Sequence, residues 1–194
     1  MISCRARTTE VKGSTCWVLF FASCLALHAC SGSTPNGTLE IRVKDHREAI
    51  GDFLKASMTI EAIRLSPKVG FKVWQLGWID LVPSVDRVEL TQFIDRSAAT
   101  VFSREIPSAS FEALDLKVRS VNGILKKDST PITISNKITP VALSFSVNPG
   151  EVTTIILDLV VMDMSDHPPE AYELQLSGYE IYRNGKLLEK IPPG

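Results

Sequence analysis

The sequence predicts an all-β chain, an antiparallel β-sandwich behind a short targeting segment, on three observations. Apolar and polar residues alternate with a period of two through most of the body, turn residues punctuate those runs at short spacing, and almost no stretch keeps a 3.6-residue period. Composition sets the frame. A chain of 194 residues, 44% hydrophobic and 22% charged with 11 Gly and 11 Pro, is one ordinary domain with its own core. It is not a disordered chain, a collagen-like repeat or a disulfide-framed miniprotein. A formal net charge of -1 lacks the basic footprint of a general nucleic-acid binder, so no nucleic-acid partner is expected.

The first element is the targeting segment, residues 1–29. Arg5, Arg7 and Lys12 face a single acid, Glu10, and the stretch from Cys16 to Ala29 carries no fixed charge. A basic region followed by about 7 to 15 apolar residues is a secretory signal, too short for a stable span of roughly 20. Its end, Leu27-His28-Ala29-Cys30, resembles the bacterial lipobox, with a branched apolar residue, a small residue and then the cysteine that receives a diacylglycerol thioether. His28 departs from the small or hydroxyl residue usual there. The resemblance implies cleavage before Cys30, lipidation and further acylation of Cys30, and a chain held at the bacterial cell envelope by two or three acyl chains. Ser31 after that cysteine resembles lipoproteins sent to the outer membrane in Gram-negative envelopes. The competing reading is an ordinary signal peptide with a chance cysteine at its cleavage site. All four cysteines, at 4, 16, 24 and 30, lie in this segment or at its boundary.

Residues 30–37 follow as a small, polar, turn-rich tether. Losing residues 1–29 removes three basic groups and one acid, which leaves 18 Lys and Arg against 21 Asp and Glu, a net charge of -3. The remaining 165 residues suffice to bury about 70% of the unfolded chain's surface without a disulfide.

Residues 38–194 form the single sandwich domain. Leu39, Ile41 and Val43 alternate with Glu40 and Arg42, which predicts a half-buried strand. Asp45 to Phe53 is the best helical candidate, short enough to be a loop. Leu54, Ala56, Met58, Ile60 and Ala62 predict the buried face of a second strand, and Leu114, Leu116 and Val118 that of another. Val152 to Val161 is apolar on both faces and β-branched, as a central strand would be. Asn148-Pro149-Gly150 suits a type II turn with positive φ at the glycine, and Asn184-Gly185 is a hairpin signal. Nine or ten strands are expected in all.

In order, these residues resemble the bacterial lipoprotein family called domain of unknown function 4382. Its opening Gly-x-Leu-x-Val strand with a terminal aspartate is met by Gly37 to Asp45, and its second strand by Met58 to Leu65. Trp78-Ile79-Asp80-Leu81, Val85 to Thr91, and Ile106-Pro107-Ser108-Ala109-Ser110-Phe111 follow in the family's order. An apolar-x-x-Gly-x-Thr-Thr strand with an internal aspartate matches Val147 to Asp158. The resemblance spans about residues 37–182. Departures are Ser110-Phe111 for Gly-Tyr, no Ala-Pro after Asp45, and Leu176-Ser177-Gly178 for Leu-x-Pro. The resemblance implies a lipid-anchored β-sandwich of the transthyretin-like, immunoglobulin-like or carboxypeptidase-regulatory kind with no assigned activity.

Chemistry is sparse. No cysteine thiol remains after lipidation, which excludes thiol catalysis and a thiolate zinc site. Asp163, Asp166 and His167, near Glu170, are the candidate metal ligands, since oxygen ligands at that spacing suit calcium. Pro168-Pro169 and the lack of a Gly-bracketed Asp-x-Asp loop favour a plain acidic surface loop instead. Asp45 with His46 is a possible acid–base pair or a turn cap. Asp158 is the odd carboxylate in an apolar strand, either a site residue or a structural one that must find hydrogen bonds. No Gly-rich phosphate loop, Gly-x-Ser-x-Gly elbow or His-Glu-x-x-His helix occurs. No cofactor and no catalytic residue are therefore expected. Phe71, Trp74 and Trp78, near Lys68 and Lys72, are the candidate ligand- or partner-binding residues, for a glycan ring, a protein groove or the membrane interface; the plainer alternative makes both tryptophans core. The function expected is that of a non-catalytic binding or structural module with a protein or carbohydrate partner. The alternative is a hydrolytic or metal-dependent accessory enzyme using Asp158, Asp163 and His167.

Overall fold

The computed structural model describes residues 35–68, 77–94, 97–166 and 171–191. The described chain is all-β, with twelve strands: β1 (Asn36–Asp45), β2 (Phe53–Pro67), β3 (Ile79–Leu81), β4 (Arg87–Glu89), β5 (Ala99–Pro107), β6 (Ala109–Leu125), β7 (Pro131–Thr133), β8 (Ser135–Asn136), β9 (Val141–Val147), β10 (Val152–Asp163), β11 (Tyr172–Arg183) and β12 (Lys186–Ile191). Two sheets of six enclose one apolar core, a sandwich-like arrangement. The first runs β12-β11-β10-β1-β5, with β8 beside β11; the second runs β3-β2-β6-β7, with β4 beside β2 and β9 beside β6.

The first sheet is not purely antiparallel. β1 and β10 run parallel, Thr38 opposite Val152 through Asp45 opposite Leu159, and β8 runs parallel to β11. Parallel neighbours need a long crossover, and here the whole second sheet lies between β1 and β10 in sequence. Alternation within single strands carries no information about that partner. β10 is central, as its two-sided apolar pattern predicts: Ile155, Leu157, Leu159 and Val161 are buried against the second sheet.

The second sheet is built on the long β2–β6 pair. Leu54 and Ala62 are not on its buried face. Irregularities of register flank both residues, so the buried set is Phe53, Ala56, Met58, Ile60, Ile63 and Leu65, while Leu54 is 55% exposed. An extra residue in one strand hands the inward position to its neighbour. The helical candidate after Asp45 proves to be a single 3-10 turn, Ala49–Asp52, with Ile50 buried. Gly150 takes φ of +69° as its turn demands, and Asn184 and Gly185, at +48° and +77°, form the tight β11–β12 turn.

Candidate functional site

Beside β9, where it runs past the β10–β12 corner of the first sheet, the surface holds a cleft of about 240 Å³. Its floor includes Phe111 and Phe145, on neighbouring strands, whose rings stack with centroids 5.0 Å apart. Hydroxyls gather on the same strands and on β10: Ser110 Oγ lies 2.8 Å from Ser146 Oγ, and Thr153 Oγ1 donates to the Ser146 carbonyl at 3.0 Å. Lys68 and Arg183 add cationic rims, Arg183 Nε being 3.4 Å from Glu151. Glu189 closes the far side and accepts a hydrogen bond from Tyr179; burial first, then that bond, pushes the Tyr179 phenol up to about 12. The two rings are core side chains, 3% and 7% exposed, so the cleft presents its hydroxyls and cationic rims, which suit a ligand with several polar edges, as a sugar ring has. The sequence signal for this cleft is the run Leu143-Ser144-Phe145-Ser146-Val147, legible as a strand but silent about what it faces.

A second polar group lies on the outer face of the first sheet. Lys44 Nζ is 3.3 Å from Asp158 Oδ2 and 3.3 Å from Glu180 Oε1. Glu180 also takes Lys190 at 3.0 Å and the Tyr182 hydroxyl at 2.5 Å. Burial alone would raise the Glu180 carboxyl, but bonds from Tyr182, Lys190 and Lys44 prevail and lower it to about 2. Tyr182 is raised in return, mainly by its bond to Glu180.

The residues singled out from sequence fall as follows. Asp158 is 5% exposed, and its ion-pair partner Lys44 comes from β1, which only the topology brings beside β10. Asp163 lies five residues along β10 and so on the opposite face, about 16 Å away at the strand rise. It is exposed, and its carboxylate accepts the Ser165 amide at 2.8 Å. Asp166 is exposed in the same turn, and His167 lies outside the described residues. Among the described residues no three His, Cys, Asp or Glu side chains cluster as metal ligands. Asp45 is fully buried at the end of β1, whereas the half-exposed His46 turns its Nδ1 to within 4.0 Å of Asp158. Trp78 is 39% exposed, so it is not core, and the Arg64 guanidinium stacks 5.2 Å from its ring while hydrogen-bonding Asp115. Phe71, Trp74 and Cys30 lie outside the described residues. Sequence reasoning missed Lys44 and Glu180, each an ordinary polar residue in an alternating strand.

Among the described residues no helix is long and apolar enough to cross a membrane. No curated protein and no solved structure matches the chain. One family model does, over residues 36–175, from the first residue of β1 into β11. That span takes in the Gly37-to-Asp45 strand, the β2–β6 pair and β10 with Asp158, and the chain belongs to the family described as domain of unknown function DUF4382.

Proposed function

We propose that the chain is a lipid-anchored lipoprotein of the bacterial cell envelope, at the outer membrane where there is one. Its sandwich, of the transthyretin-like or immunoglobulin-like kind, acts as a non-catalytic binding module for a glycan or protein partner. The observation that carries the reading is the spacing of Cys30 and Asn36. The acyl-accepting cysteine of the Leu27-to-Cys30 signal stands six residues before β1, a tether just long enough to hold a folded domain close to a bilayer. The hydroxyl-rich cleft over Phe111 and Phe145 is the binding face in this reading. An enzyme built on Asp158, Asp163 and His167 is less well supported, because the first two point to opposite faces of β10.

The test has two arms. Wild type is expected to incorporate labelled palmitate and Cys30→Ser to lose it; equal labelling of the two overturns the anchor. Crosslinking capture from intact envelopes is expected to fall at least about tenfold when Ser146→Trp fills the cleft, a loss of about 1.4 kcal/mol in binding. Capture indifferent to that substitution overturns the cleft as the binding face.

A further inference from the structure

We propose that Lys44 and Asp158 condense within the folded chain to an amide, a covalent bond between β1 and β10 made from side chains that the parallel register sets directly opposite each other. This goes beyond the binding role and stands without it.

Lys44 and Asp158 are register partners on adjacent strands, with Nζ 3.3 Å from Oδ2, so the amine sits against the carboxyl group whose carbon it would attack. Burial separates this pair from its neighbours. The Lys44 side chain is 12% exposed and that of Asp158 7%, whereas the ion-paired Lys55, Lys137 and Lys190 are 50%, 46% and 49% exposed. Withdrawal from water also removes the solvent that would compete with the amine for the carboxyl carbon. The pair is also poorly satisfied as ions. Asp158 Oδ1 is buried with no hydrogen-bond partner, which leaves the carboxylate short of a donor. Lys44 does donate a hydrogen bond to Glu180 Oε1, which holds its nitrogen beside Asp158.

The atoms balance without a co-reactant. One proton passes from the Lys44 ammonium to the Asp158 carboxylate, leaving an amine and an acid. The nitrogen lone pair attacks Cγ, and the C–N bond forms. The second Nζ proton passes to the departing hydroxyl, while Glu180, itself held by Lys190 and Tyr182, keeps the nitrogen in place. The Cγ–O bond breaks and one water leaves. No charge is created or lost, since an ion pair becomes a neutral amide.

The experiment is mass spectrometry of the full chain purified from the cell and digested with trypsin. The expected product is a branched peptide joining residues 43–47 to residues 138–183, lighter than its two parts by one water, with fragment ions placing the join at Lys44 and Asp158. Recovery of 138–183 unbranched and at full mass overturns the proposal with no variant needed. Lys44→Arg keeps the positive charge beside Asp158 but not the amine, and is expected to lose the branch with its circular dichroism unchanged; a branch that persists there overturns the assignment. Glu180→Gln is expected to accumulate the branch roughly 100-fold more slowly, and an unchanged rate removes Glu180 as the residue that positions the amine.

Discussion

A β-carbon added to Gly123 would sit 2.4 Å from two ring carbons of Phe53, a side chain 2% exposed in the core. The ring cannot retreat, because it also packs edge-on against Tyr172 with centroids 4.9 Å apart. Gly123→Ala should therefore destabilise the domain by about 1–3 kcal/mol, read as a lower urea midpoint. Gly51 has nothing within 4 Å of the same position, and Gly51→Ala should stay within about 0.5 kcal/mol of wild type. An unchanged midpoint for Gly123→Ala would contradict the packing of β2 against β6. Residue-level facts of this kind were only partly legible in the sequence. The glycines of the two turns announce themselves beside Pro149 and Asn184, whereas Gly123 reads as an unremarkable interruption of Val121-Asn122-Gly123-Ile124 until its cross-strand neighbour is known. Leu54 shows the same limit: its alternation is real, but the irregular register beside it turns the side chain outward.

At the scale of elements, the Glu180 group ties β11 to β1, β10 and β12 through Lys44, Asp158 and Lys190. Its folded carboxyl, at about 2, lies below the ordinary 4.5, so the folded state binds fewer protons than the unfolded one in between. The stabilisation is then complete above about pH 4.5 and is lost as pH falls toward 2. Wild type should lose stability across that window in urea titrations, and Glu180→Gln should show a shallower loss. Equal slopes would mean that the carboxylate is not held by its neighbours. Strands of this kind were largely readable from their period: β1, β6, β10 and the β11–β12 hairpin lie where alternation and turn residues put them. Their partners were not. Lys44, Asp158 and Glu180 belong to three strands far apart in the chain, and period-two patterning names an outer face without saying whose outer faces adjoin.

For the whole molecule, composition and punctuation were enough for an all-β, two-sheet body, because burying one face of each strand leaves few other architectures. The parallel β1–β10 ladder was not accessible in that way. It is a property of the crossover, and local alternation is the same for either strand direction. It also places β1 inside the first sheet, between β5 and β10, although β1 is the first strand among the described residues. A pull along β1 from residue 36 loads both flanking ladders in shear, so their hydrogen bonds must slide together. The β11–β12 hairpin, with only one ladder and a free outer edge, can instead be peeled open bond by bond. The first described strand is thus the grip by which this domain is hardest to unravel mechanically.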